Sequence, residues 1–292
     1  MTALGTALMR AVHTRIDRPV LIDDPWGERL IVASERDALL GVVGAGDLDP
    51  ALRAHPSYGT VILRARYAED VLAEAVARGV RQYVIVGAGF DSFALRRPSF
   101  ARDLEIFEVD HPATQEFKTR RLADREILVS PRLHLVPADL SETALDMALA
   151  NSAFRADQQA FFSWLGVTPY LTRRANLAIL SAIASCALVD SELVFSYIDQ
   201  RILDDGSKGG PMQEVRTALA SAGEPWVSGF NPDQLADDLR DTGLTLLKDL
   251  GPEELRARYC TDRTGGLSPS PNTHVARARV AGSRLDVQAA SS

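Results

Sequence analysis

Over the first eighty residues, apolar positions recur at helical spacing in segments 4–14, 26–40 and 58–78, with no convincing two-residue alternation. Pro25 and the glycines and prolines of residues 41–56 interrupt the pattern. Beyond residue 80 the pattern changes. Short β-branched or aromatic runs predict strands at 83–86, 104–110, 133–137, 160–166 and 192–199, with two more at 244–250 and 275–280. Amphipathic stretches between them predict helices. One opens at Pro112 with His111 as its cap, one runs to Ala150 behind Ser141, one follows Thr172 to about Ala187, and one starts at Asn231 and Pro232. Alternation of this kind predicts an α/β fold with a mostly parallel sheet and helices on both faces. Residues 1–80 read as a helical cap, 81–281 as the α/β domain with a lid insertion at about 200–231, and 282–292 as a disordered tail.

The first strand ends in Val86-Gly87-Ala88-Gly89-Phe90-Asp91-Ser92. Two glycines one residue apart allow the backbone to approach a ligand without a Cβ in the way, and the turn presents amide groups to a polar ligand. The third glycine of the full dinucleotide fingerprint is missing. Asp110 closes the second strand about 20 residues on, the interval at which α/β cofactor sites place a carboxylate against ribose hydroxyls. At the third strand end, Asp139 can accept a hydrogen bond from an adenine amine while Leu140 packs on the ring. Gly166, Val167 and Tyr170 follow the fourth strand on the same sheet edge, which puts them near the reacting end of a cofactor. In the segment before the sheet, Arg66 has Asp70 four residues on and reads as half of an ion pair, whereas Arg64 beside the apolar stripe can point inward. Trp226 and Phe230 read as a substrate wall or equally as satellite core.

Composition narrows the partners. A chain of 292 residues, 46% of them hydrophobic, has ample material for a large core. Its net charge is −7, with no basic patch, so nucleic acid is not an expected partner. The three lysines, far outnumbered by arginine, are a compositional habit and carry no functional reading. Cys186 and Cys260 form neither a metal spacing nor a disulfide framework, and no metal is expected. No stretch approaches the roughly 20 apolar residues of a membrane span, and Arg10 cuts short any signal-like apolar run. A cytoplasmic protein of unspecified oligomeric state is the expectation.

Four ordered motifs then carry a resemblance: Val-Gly-Ala-Gly-Phe-Asp-Ser from Val86, Phe-Glu-Val-Asp-His-Pro from Phe107, Ala-Asp-Leu from Ala138, and Trp-Leu-Gly-Val-Thr-Pro-Tyr-Leu-Thr from Trp164. Together they resemble the leucine carboxyl methyltransferase family, a branch of the class I methyltransferases that use S-adenosylmethionine and release S-adenosylhomocysteine. The likeness spans about residues 5–250. It implies a Rossmann-like, seven-stranded sheet with an antiparallel last strand. By the same resemblance, Gly87, Ala88 and Gly89 line the methionine part of the cofactor, Asp110 holds the ribose, and Asp139 and Leu140 hold the adenine. Arg64 grips the methionine carboxylate. Leu165 occupies the cofactor-binding position where many members carry a glutamate, a departure that removes a polar contact near the cofactor amine.

Methyl transfer from a sulfonium needs chiefly alignment and exclusion of water. A carboxylate acceptor needs no base, whereas a hydroxyl benefits from one. No residue is marked by its context as that base; His13, His55 and His111 can reach a cleft after folding, and His13 and Tyr170 are the catalytic candidates. The expected activity is O-methylation of a small-molecule carboxylate or hydroxyl, with Tyr170, Trp226 and Phe230 as substrate-binding residues. The alternatives are a protein carboxyl methyltransferase, a silent cofactor-binding relative and a nicotinamide-dependent oxidoreductase, the last disfavoured by the missing glycine.

Overall fold

The structure is a computed structural model and describes residues 2–43, 47–204, 217, 220, 225–261 and 267–282. Five helices precede the sheet: α1 (Thr2–Ile16), α2 (Trp26–Leu30), α3 (Ala33–Val43), α4 (Leu48–Ala54) and α5 (Tyr58–Ala77). Then come β1 (Gln82–Val86), α6 (Phe93–Arg96), β2 (Glu105–Asp110), α7 (Pro112–Asp124), β3 (Leu133–Pro137), α8 (Leu145–Ala150), β4 (Ala160–Trp164), α9 (Arg173–Cys186) and β5 (Glu192–Ile198). After α10 (Gln200–Asp204) the order is α11 (Leu235–Asp241), β6 (Leu244–Leu250), α12 (Pro252–Tyr259) and β7 (Thr273–Val280). The seven strands lie in the order β3-β2-β1-β4-β5-β7-β6. Only β7 runs antiparallel to its neighbours.

Both sheet faces are covered, which is why the central strands read as continuous apolar runs. On one face Ile85, Ile106, Phe161 and Val194 join α1 and α5 through Leu8, Val12, Leu63 and Leu72. On the other, Val84, Phe107, Phe162, Trp164 and Phe195 pack with Leu149 of α8, Leu180 of α9 and Leu239 of α11. The first eighty residues therefore share a continuous core with the sheet.

Three local readings need correction. The interval 41–56 contains α4, whose N-cap Asp47 accepts the Asp49 amide; Pro50 stands in the first turn, where no intrahelical N–H bond is lost. Ser141 does not cap α8. Its amide and hydroxyl both donate to Asp139 Oδ1, at 3.0 and 2.6 Å, and that tight turn delays the helix to Leu145. Asn231 likewise accepts the Asp233 amide in a turn, so α11 starts only at Leu235. His111 and Thr172 cap α7 and α9 as expected, through Ala113 and Ala175. Of the tail, only Gly282 falls within the described residues, as do 200–204, 217, 220 and 225–231 of the expected lid.

Buried polar clusters fix the N-terminal helices. Asp17 accepts from His13 Nδ1 at 2.8 Å and from the Tyr58 hydroxyl at 2.7 Å, and pairs with Arg53 at 2.9 Å, joining α1, α4 and α5. Burial alone would raise its carboxyl, but His13, Tyr58 and Arg53 outweigh that and hold it below the ordinary range. A carboxylate depressed in the folded state stabilises fully above its unfolded pKa of about 3.9, and that contribution disappears as pH falls through the folded value. Urea titrations between pH 5 and 2 are therefore expected to show a steeper loss of stability for the wild type than for Asp17→Asn. Parallel pH curves for the two proteins would contradict the assignment.

Candidate functional site

The strand order reverses between β1 and β4, because the chain passes outward through β2 to β3 and then returns to the other side of β1. Loops leaving the carboxyl ends of these two strands diverge there and open a crevice. A cavity of about 560 Å³ occupies it, within the usual range for a small-molecule site. Its walls come from α1, α5, the glycine turn after β1, the end of β2, the turn after β4, and Trp226.

Gly87 has φ +69°, and a Cβ there would stand 2.4 Å from Val167 Cγ2. The turns after β1 and β4 therefore interlock only because this residue lacks a side chain. Gly89 donates its amide to Asp110 Oδ2 at 2.5 Å, while Asp110 Oδ1 accepts the His111 amide at 2.7 Å. Asp110 is thus held at the cavity edge by two backbone donors, with lone pairs left for hydroxyls. Beneath the turn, Lys118 Nζ reaches the Asp91 carbonyl and Glu108 Oε2, each at 2.6 Å.

Arg64 projects from α5 toward the turn after β4. A Cβ on Gly166, whose φ is +75°, would come within 2.4 Å of Arg64 Nη2. Among the described residues the Arg64 guanidinium makes no ion pair and no hydrogen bond, and burial pushes it down to about 10. Arg66 is otherwise engaged: it donates to the Leu21 carbonyl at 2.8 Å and pairs with Asp70 at 2.8 Å. The geometry separates two arginines that are close enough in sequence to compete for one role.

The remaining expected residues divide. Ala88, Leu165, Tyr170 and Trp226 line the cavity with Gly87, Gly89, Asp110 and Arg64. Asp139 and Leu140 lie outside its walls: Asp139 is half-buried with His111 Nε2 3.7 Å from its carboxylate, and Leu140 packs half-buried on the core. Phe230 is not a substrate wall. It is fully buried against Phe195 and Tyr197, with ring centres 5.8 and 5.7 Å away. Its amide donates to the Ile198 carbonyl, and this bridge alongside β5 carries the ring into the core. His13 is not available for catalysis either: it is fully buried, with Nδ1 on Asp17 and Nε2 accepting the Leu21 amide at 2.9 Å.

Arg10 was missed. It lines the cavity from α1, donating to Asp24 at 2.7 Å and to the Phe90 carbonyl at 2.9 Å, and so ties α1 to the glycine turn. Burial would raise the Asp24 carboxyl, but Arg10, Arg96 and Ser92 together hold it low. The available signal was an arginine set between the apolar residues Met9 and Ala11.

Residues 3–184 match the profile of the family described as leucine carboxyl methyltransferase. The chain belongs to that family. A Bacillus subtilis relative, provisionally named an S-adenosyl-L-methionine-dependent methyltransferase (YktD), is 30% identical over 94% of this chain and 95% of its own. A Mycobacterium tuberculosis H37Rv protein with the same kind of provisional name is 29% identical over 94% of this chain and 80% of its own. The fold also matches a crystal structure from Thermobifida fusca, provisionally called a methyltransferase, at TM-score 0.56 and 15% identity, covering 83% of this chain and 93% of that one. The chain is thus a methyltransferase of the α/β class whose cofactor is S-adenosylmethionine. The residues present fit that cofactor. The cavity offers a guanidinium with no ion pair or hydrogen bond among the described residues, a carboxylate at Asp110 with lone pairs to spare, and a turn whose glycines lack side chains, which is chemistry compatible with a carboxylate, hydroxyls and a close-lying chain.

Among the described residues no helix is long and apolar enough to cross a membrane, and no cluster of three or more His, Cys, Asp or Glu side chains could hold a metal ion.

Proposed function

We propose that this family member transfers a methyl group from S-adenosylmethionine to an oxygen of a small-molecule acceptor, a carboxylate or a hydroxyl of secondary metabolism. The observation that carries the reading is Arg64, a cation with no ion pair or hydrogen bond among the described residues, facing Gly166 in the cavity that Asp110 borders. In this reading Arg64 pairs with the methionine carboxylate, Gly87, Ala88 and Gly89 line the adjoining chain, and Asp110 accepts from the ribose. Asp139, whose Oδ2 is left exposed, accepts the adenine amine, and Leu140 packs on the ring. Leu165 closes the position near the amine with an apolar side chain.

The bound cofactor supplies a methyl group already activated on a sulfonium, so the chain's task is alignment and exclusion of water. Tyr170 and Trp226 border the acceptor side. The Val227 amide donates to the Pro169 carbonyl at 2.6 Å, and the Ser228 hydroxyl donates to the Leu171 carbonyl at 2.7 Å, stitching this strip across the turn after β4. The cavity volume of about 560 Å³, in the small-molecule range, supports a small molecule over a protein tail as acceptor.

Calorimetric titration with S-adenosylmethionine, S-adenosylhomocysteine and NAD tests the reading. Micromolar binding of the first two and none of the third is expected. Folded protein that ignores both adenosylated ligands would refute it.

A further inference from the structure

One titratable group on the cavity wall has no place in this account of the cofactor. His55 follows α4 and precedes α5, three residues before Tyr58. It lines the cavity together with Leu39, Leu52, Ser57, Thr60 and Val61. Arg64 lies nine positions further on, and its Cα stands about 9 Å along α5 beyond that of Tyr58. The imidazole and the Arg64 guanidinium are carried by different segments of the cavity wall, the α4–α5 junction and the body of α5.

The imidazole's hydrogen bonding is specific. Its Nδ1 accepts the Ser57 amide at 3.2 Å, and Nε2 has no partner among the described residues. An Nδ1 that accepts a backbone N–H places the single proton of the neutral ring on Nε2. Burial lowers the pKa of His55, which keeps the ring neutral at physiological pH. The group presented toward the cavity is then an N–H donor. Taking a proton would require Nδ1 to give up the Ser57 amide and the ring to become charged in a desolvated site.

The other ionisable groups on the cavity wall are Arg10, Arg64, Asp91, Asp110, Tyr170 and Tyr197. Asp91 and Asp110 stand on the glycine-turn side, accepting the Phe93 and Gly89 amides. The Tyr197 hydroxyl already donates to Asp249 at 2.6 Å. Among the described residues, the end formed by α3, α4 and the start of α5 thus offers a donor and apolar surface but no carboxylate or second imidazole to take a proton.

We propose that His55 binds the methyl acceptor as a fixed Nε2–H donor, and that the acceptor is an oxygen acid that is already an anion when it binds. The inference rests on the methyltransferase reading above. In the step it describes, an oxygen lone pair of the anion forms the new O–CH₃ bond, the S–CH₃ bond breaks, and its electron pair returns to sulfur, which becomes a neutral thioether. No proton moves. The anion's charge is balanced before transfer by the cofactor's sulfonium and stabilised by the His55 donor. A carboxylic acid and a strongly acidic phenol share this chemistry, whereas an aliphatic alcohol does not.

Two measurements test it on the full chain. Long-range ¹H–¹⁵N spectra of histidine-labelled protein saturated with S-adenosylhomocysteine should show His55 as the neutral Nε2–H tautomer from pH 6.5 to 8. An Nδ1–H tautomer, or an imidazolium at pH 7, overturns the proposal. Phenylacetate, 4-nitrophenolate and benzyl alcohol are then titrated into the same complex at pH 8. One or both anions should shift the Nε2 resonance and benzyl alcohol should not, the responding anion identifying the acid type. Equal responses from all three, or none from either anion, overturn it. His55→Gln keeps an N–H donor and should hold the responding anion within about threefold of wild type, while His55→Ala weakens it about tenfold or more. Equal losses in both variants also overturn the proposal. Absent binding of S-adenosylhomocysteine to wild type would instead be a failure of the methyltransferase reading, visible before any acceptor probe is added.

Discussion

Arg64→Met is expected to weaken S-adenosylhomocysteine binding by about 10²–10³-fold and, in the same protein, to raise the melting temperature of the ligand-free form. The two effects have opposite signs because they arise from the same charge, which has no ion pair among the described residues. Losing one partner of a desolvated charge pair costs about 3–4 kcal/mol of binding, and each 1.4 kcal/mol is a factor of ten. Without ligand, the guanidinium is a burden: burial pushes it down to about 10 and no carboxylate among the described residues compensates. The full shift corresponds to about 3 kcal/mol, and solvent in the cavity reduces the realised penalty to about 1–2 kcal/mol. At about 2–4 °C per kcal/mol for a domain of this size, a gain of about 2–8 °C follows. Calorimetry and a thermal scan on one preparation decide the matter. A variant that loses both affinity and stability would show that Arg64 is a packing residue and that the cofactor assignment is wrong.

Lys118→Met is expected to cost about 3–5 kcal/mol of folding stability, the usual penalty for stranding half of a buried ion pair. Both members are essentially sealed from solvent, at 2% exposure for Lys118 and 1% for Glu108. Burial raises the Glu108 carboxyl and Lys118 opposes that rise, so removing the ammonium leaves a carboxylate that can only relieve its position by taking a proton. Its pKa then stands further above the unfolded value. A raised acid contributes its stability below the unfolded pKa and loses it as pH climbs through the folded one, so the variant should be least impaired near pH 4–5 and most impaired at pH 8. Adding Glu108→Gln should recover much of the loss at pH 8 and flatten the pH dependence. Urea midpoints across that range provide the check. A pH-independent loss would mean that packing of the methylenes, not the stranded charge, is what Lys118 contributes. Lys118 also holds the Asp91 carbonyl at 2.6 Å, so the single variant should bind S-adenosylhomocysteine more weakly through a loosened glycine turn.

The strand pattern was legible because it is local. Tyr83 to Val86 read as a buried parallel strand for the reason they form one: alternate residues enter opposite cores, Ile85 on one face and Val84 on the other, so every position must be apolar. The motifs at Gly87, Asp110 and Trp164 were legible because a backbone that must bend sharply, or a carboxylate that must end a strand, leaves few residue choices. The N-terminal helices were visible as periodicity, but α4 was hidden between breakers, since a proline in a first turn looks from sequence like a proline that ends a helix.

Long-range choices were not legible. Arg64 and Arg66 differ by two positions, about 200° around a helix; the Arg66–Asp70 pair was legible from its spacing, but only packing decided that Arg64 meets Gly166 and that Arg66 also meets Leu21. Phe230 and Trp226 sit four residues apart in one polar excursion, and the bridge to β5 sent the first into the core and left the second on the cavity wall. His13 and His55 looked alike as single histidines among helical segments. The fold spent both nitrogens of the first on Asp17 and Leu21 and left Nε2 of the second without a partner among the described residues, on a ring that lines the cavity. Sequence by itself determined the order of the seven strands, the family, and the turn chemistry after the first strand, because those depend on neighbours along the chain. The tertiary structure alone decided which charged and aromatic side chains face the cavity, because that depends on partners brought in from distant segments, and on which of them satisfy a buried polar group first.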